Sequence, residues 1–233
     1  MTTSRVVTVP SARRTWRTML NTGATVPRLA CAKPCDGYQV GDEAVVLPGP
    51  PADFELTLPD STLTHGQTAE VLTRLPHGPT LYWEIATGCS RTVPPEDLDL
   101  GRSFAVGVNP APEEVDHYIL TPYEITFLGD GGDGNPVVQP AVAVPVLIAT
   151  DADGNAVEPL LYSAELHCGV EPSGMVPGVL DELVEGRTYR GAVLGCVRKD
   201  GSGAARKPVG VRFLFQAEGS DLDPLHGRRV VWR

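Results

Sequence analysis

At 233 residues the chain can form one large β-domain or two modules of about 100 residues each, and either size buries a sufficient core. Its 25 Gly and 22 Pro set frequent turns, and Ala, Val, Thr and Leu outnumber the long helix formers Lys, Gln and Met, which favours an all-β class. No apolar run approaches the ~20 residues of a membrane-spanning helix, and residues 1–20 lack the apolar centre of a signal peptide, so a soluble chain made in the cytosol is expected, with no membrane partner.

The net charge of −10 is laid out in blocks. Residues 1–35 hold six basic groups and no acid. Residues 36–186 hold 25 acids against Arg74, Arg91 and Arg102, and residues 187–233 hold ten basic groups against four acids. Such blocking predicts that ends meet middles, within one molecule or between neighbours. Simple solubility of an acidic domain accounts for the charge about equally well.

Residues 1–37 read as an extended basic N-terminal arm, with Pro10, Pro27 and Pro34 among small polar residues. Within it Arg5-Val-Val-Thr-Val9 has the composition of a strand that adds to a sheet edge. Ser11 is placed to cap a short basic helix over 12–20, with Trp16 and Leu20 four apart on one face. Arg5, Val7, Val9, Arg13, Arg14, Trp16, Arg17 and Leu20 are therefore the candidate partner-binding residues, with Val6 beside them.

Residues 38–128 are read as a first β-module. After a short apolar strand over 44–47, three runs alternate apolar and polar residues between turn-forming breaks: Phe54, Leu56, Leu58; Ala69, Val71, Thr73, Leu75; and Leu81, Trp83, Ile85. Period two predicts strands with one buried and one wet face. Residues 94–100 read as a loop with one helical turn. Strands resume over 103–108, 118–120 and 123–127, the last two separated by Pro122, a mark of an edge or a bulge.

Residues 129–136, Gly-Asp-Gly-Gly-Asp-Gly-Asn-Pro, are a flexible linker or a long hairpin loop. Residues 137–233 then form a second β-module. It contains a buried strand within 137–150, broken by Pro145, and a short helix within 177–186, Pro before and Gly after. Strands over 187–197 and 209–217 flank an exposed basic tip at 198–207. The fold class expected is all-β: two antiparallel β-sandwich-like modules behind a basic arm.

The chemistry-bearing motifs are few. No nucleophile elbow, phosphate-cradling loop, paired-histidine metal helix or dinucleotide fingerprint occurs. Asp151-Ala-Asp-Gly-Asn155 begins like a calcium loop, but its glycine is fourth rather than sixth and position twelve is Tyr162, so an Asp-Gly hairpin turn is the better reading. Cys31 and Cys35 have the spacing of half a zinc site, with His167-Cys168 the nearest candidate for the rest. The five cysteines are otherwise read as free thiols, and no metal or cofactor is expected. Glu113, Glu114 and Asp116 crowd His117, an arrangement a solvated acidic loop also supplies. Arg13, Arg14 and Arg17 around Trp16 combine cations with an indole, as nucleic-acid binders do, but the acidic body repels a polyanion and nucleic acid is not expected as a partner.

Leu63-Thr-His-Gly-Gln-Thr-Ala-Glu-Val71 followed by Leu81-Tyr-Trp-Glu-Ile85 resembles the B and C strands of immunoglobulin-like modules, with Trp83 on the strand C position. The likeness covers about residues 53–128. The cysteine pair that joins the sheets of antibody domains is absent, so the resemblance implies the sandwich architecture alone. Such modules with basic arms are similar to decoration, minor capsid and tail components of tailed-phage virions. The resemblance implies a non-catalytic structural protein located in a virion, with protein subunits of the same assembly, identical or different, as partners. The alternatives are an Ig-like surface or carbohydrate-binding module and, third, an enzyme.

Overall fold

The computed structural model describes residues 4–10, 42–74, 78–98, 110–133, 142–155, 157, 170–200, 209–215 and 224–233, with the backbone alone at 4–10, 42–46 and 112. Among these residues the fold is all-β. Eleven strands are described: β1 Ser4–Pro10, β2 Asp42–Pro48, β3 Ser61–Leu63, β4 Thr68–Arg74, β5 Thr80–Thr87, β6 Arg91–Val93, β7 Val115–Asp130, β8 Leu147–Thr150, β9 Thr188–Arg198, β10 Gly210–Leu214 and β11 Arg229–Trp232. Among the described residues helical structure is limited to single 3-10 turns at Pro95–Asp97, Pro112–Glu114, Pro172–Gly174 and Leu180–Glu182. No helix among the described residues is long and apolar enough to cross a membrane.

The strands form three sheets. β1 and β2 make an antiparallel ribbon of their own. A four-stranded sheet runs β3-β11-β10-β8, antiparallel except for the parallel β3–β11 pair. The five-stranded sheet is built on β7, which carries β9 along one edge while β5 and then β6 share the other; β4 lies outside β5. Pro122 sits within β7 where β5 gives way to β6, at the gap between the Thr87–Tyr123 and Arg91–Leu120 pairs. Its missing N–H is therefore not needed by a ladder, and its carbonyl accepts from Gly88 N at 2.7 Å. That placement makes one continuous 16-residue strand of the two runs that flank the proline.

Of the three alternating runs, the second and third are β4 and β5, but the first lies outside any strand. Side chains stand in for part of its ladder. Glu55 N donates to Glu70 Oε2 and Glu70 N to Thr57 Oγ1, while Thr57 N reaches Glu70 O at 2.8 Å. The wet face expected of β4 and β5 is also largely dry: Leu72 and Tyr82 are buried opposite Val71 and Trp83. Phe54 covers that second face, its ring centroid 4.6 Å from that of Tyr82, and the Tyr82 hydroxyl donates to Pro48 O at 2.6 Å. Burial pushes the Tyr82 phenol well above its ordinary range, with Arg74 opposing and Asp133 adding to the rise.

One buried cluster takes residues from both larger sheets, among them Trp83, Ile85, Phe127 and Tyr189 from one and Val211, Phe213, Val230 and Trp232 from the other. Its indoles are satisfied internally, Trp83 Nε1 by Thr73 Oγ1 at 2.8 Å and Trp232 Nε1 by Gln67 O at 2.9 Å. A smaller cluster on β7 and β9 gathers Val93, Leu98, Val115, Tyr118, Leu120, Ala192 and Leu194. There burial, helped by Cys196, pushes the Tyr118 hydroxyl up to about 12.

Pairing runs across the Gly/Asp-rich stretch: β7 before it pairs with β9 after it, and β3 with β11. Gly129 and Asp130 end β7, and residues 134–136 lie outside the described residues. The part between is tied down, since Thr80 N and Oγ1 both donate to the Asp133 carboxylate, at 2.7 and 2.9 Å, and Gly131 N donates to Thr80 O. Here Gly49, at φ +48°, meets Gly131, and a Cβ on Gly49 would lie 2.5 Å from the Gly131 carbonyl oxygen. Glycine is required for the two backbones to approach.

Candidate functional site

The candidate partner-binding residues divide between described and undescribed parts of the chain. Arg5, Val7 and Val9 lie on β1, opposite Leu47, Val45 and Glu43 of β2, and Val6 lies opposite Val46. Arg13, Arg14, Trp16, Arg17 and Leu20 lie outside the described residues. The ribbon follows from composition, because valine-rich runs of equal length pair readily. Its attachment to the body follows from Leu47, fully buried in the main cluster, and from Pro48, held by Tyr82. Among the described residues no third strand joins β1 or β2. Between the two strands run 31 residues, 11–41, with five basic groups and one acid.

A second feature, not foreseen from the sequence, is a groove of about 400 Å³ across β5, β7 and β9. Ala86, Gly88, Pro122, Tyr123 and Val170 supply its apolar lining, and Glu124 and Arg190 flank it as an exposed ion pair at 3.2 Å. Two irregular residues shape it. Tyr123 lies over Gly191 of the opposite strand, and Gly88 fits against the Pro122 ring. The signals in the sequence are a glycine and a proline inside strand patterns, which mark close approach and an irregular edge. The Glu124–Arg190 pair itself has no sequence signal, because its members are 66 residues apart.

The 151–155 segment is a turn closed on itself. Asp151 Oδ1 accepts from Asp153 N at 2.9 Å and Asn155 N at 2.8 Å, and Gly154 adopts φ +80°. The carbonyls a cation would need are occupied by arginines. Arg233 donates to Ala152 O at 2.7 Å, and Arg229 and Arg212 donate to Gly154 O at 3.0 and 3.4 Å. Burial, and then the Arg229 guanidinium, lower the pKa of Arg212, while Asp151 opposes them.

Glu114 is engaged by Arg198 of β9 at 3.3 Å and His117 Nδ1 by Asp116 at 2.7 Å, while Glu113 is exposed. Cys89 and Cys196 are not in a disulfide. Cys31, Cys35, His167 and Cys168 lie outside the described residues. Among the described residues no group of three or more His, Cys, Asp or Glu side chains is placed to hold a metal.

Comparison of the chain with family models, with curated proteins and with solved structures finds no match.

Proposed function

We propose that this protein is a non-catalytic structural component of a large assembly, of the kind that decorates or completes tailed-phage virions, and that its N-terminal segment docks it to a neighbouring subunit. The observation that carries this reading is the β1–β2 ribbon, a sheet of two strands separate from both larger sheets. A two-stranded ribbon is marginal alone in water. Residues 4–10 and 42–48 carry valine at five paired positions, and β1 has a second edge to which no described strand is bonded. Strand addition at that edge supplies backbone bonds, the basic residues 11–41 supply attraction to an acidic neighbour, and Trp16 and Leu20 are the anchors. In the same reading the two larger sheets are the layers of an Ig-like sandwich, supported by their shared buried cluster.

The test removes residues 1–35 and measures folding by circular dichroism and incorporation by co-sedimentation with particles from the native source. A folded chain that no longer incorporates is the expected result. Full incorporation overturns the docking reading, and loss of folding assigns the segment to the core. Trp16→Ala should mainly speed release. Replacing Arg13, Arg14 and Arg17 with Ala should mainly slow association, because exposed charge pairs contribute only about 0–1 kcal/mol each and are screened by salt.

A second reading, a surface or carbohydrate-binding module, is favoured by the groove at Tyr123, Glu124 and Arg190, where an aromatic side chain adjoins paired donor and acceptor groups. A glycan-binding screen separates the two: binding lost in Tyr123→Ala supports the module, and its absence leaves the assembly reading in place.

A further inference from the structure

Arg212 on β10, Arg229 on β11 and Arg233 just beyond it converge on one turn, each donating to a backbone carbonyl at Ala152 or Gly154. Carbonyl oxygens orient guanidinium groups without neutralising them. Among the described residues the ion pairs of arginine are Arg190–Glu124, Arg198–Glu114 and Arg228–Asp60, so none of the three takes part in one. Asp151 of the same turn offsets part of this charge at Arg212, but three guanidiniums held together remain costly, and a fixed array of guanidinium forks is suited to binding carboxylates.

The complementary surface is on the same chain. Around the Leu180–Glu182 turn, Leu180 and Leu183 pack against the main core. Val179 and Val184 are 42% and 50% exposed, and Asp181, Glu182 and Glu185 are exposed beside them. The loop is braced by Val184 N to Tyr189 Oη at 3.0 Å and Gly186 N to Phe127 O at 2.7 Å. It therefore presents its carboxylates and two bare valines in a fixed arrangement, and none of those carboxylates is in an ion pair among the described residues.

We propose that the Arg212, Arg229 and Arg233 face receives the 179–185 loop of a second copy of this chain, its three carboxylates meeting the three guanidiniums and its valines becoming covered. Because the two surfaces differ, the contact is head-to-tail, the kind that propagates into rings or filaments rather than closing a two-fold dimer. This deepens the assembly reading by naming one contact and its partner, and it makes no use of the N-terminal segment.

The test is sedimentation velocity of the full chain at low and high salt, with two charge-swapped variants, Arg229→Glu/Arg233→Glu and Asp181→Lys/Glu182→Lys. The wild type should self-associate at low salt and dissociate as salt rises. Each variant alone should associate on the order of tenfold more weakly or worse. An equimolar mixture of the two should associate again, since each then offers the other a complementary surface. Wild type that stays monomeric at low salt, variants that associate like wild type, or a mixture that stays apart would each overturn the proposal. Should the arginine variant fail to fold by circular dichroism, the loop variant, altered only at exposed residues, decides by itself. Trp16→Ala, which weakens attachment in the docking reading, should leave this contact unchanged, so the two ideas fail separately.

Discussion

Gly191 faces Tyr123 across the β7–β9 ladder, and a methyl group placed on it would lie 2.1 Å from the ring carbon Cζ. Gly191→Ala must therefore displace the ring, and a destabilisation of about 1–3 kcal/mol is expected in urea unfolding. In a Tyr123→Ala background the added cost should vanish, because the colliding ring is gone; a cost that persists would place the strain in the backbone instead. His65 gives a prediction in pH. Its Nδ1 is 2.9 Å from Thr87 Oγ1, its Nε2 is enclosed with no partner among the described residues, and burial lowers its pKa. A folded-state pKa below the ordinary 6.5 means that the unfolded chain binds the proton first. Stability is then lost as pH falls through about 6.5, and the loss levels off below the folded-state value. Melting temperature should drop from about pH 7.5 to about pH 5, and His65→Gln should show a smaller drop. An equal drop in both would remove His65 from the account.

Pro122 shows how an element tolerates a residue that its pattern forbids. Its nitrogen sits where β5 has ended and β6 has not begun, so Pro122→Ala should change stability by no more than about 1 kcal/mol, whereas Leu120→Pro, in the paired and buried part of β7, should cost more than about 3 kcal/mol. Thermal or urea unfolding of the two variants checks this, and a large loss at position 122 would mean that the proline is itself structural. The same strand marks what was legible beforehand. The all-β class, β4, β5, β9 and β10, and the short turns at 95–97 and 180–182 follow from period-two alternation and turn chemistry, which act between neighbours in sequence. β11 did not, because Arg-Val-Val-Trp is too short to show a period. Nor did the parallel β3–β11 pair, which joins residues 169 positions apart. Covering of the second face of β4 and β5 at Tyr82 involves Phe54, which no local pattern assigns to it. The groove and the arginine face share this origin, as each brings together side chains from strands distant in sequence.

Across the whole molecule the charge blocks meet internally where the C-terminal block is concerned. Arg198, Arg190 and Arg228 reach back to Glu114, Glu124 and Asp60, so part of the basic 187–233 segment is matched by acids of the middle segment within one chain. Strand pairing makes the same connection more strongly. β9 lies along β7 from Val115 to Thr126, and β11 lies between β3 and β10, so each larger sheet contains strands from both sides of residues 134–141. Two independently folding modules would need their sheets to close within each half. Here the cut halves would expose the edge of β7 and the buried faces of Tyr189, Val193 and Trp232, all less than 10% exposed in the intact chain. A specific protease site inserted between Gly134 and Asn135 tests the consequence. After cleavage the two pieces should remain together in gel filtration, with unchanged circular dichroism, and should separate only with unfolding. Each piece expressed alone should lack a cooperative thermal transition. Recovery of two separable folded fragments would show instead that the halves are autonomous and that pairing across the stretch adds little to their stability.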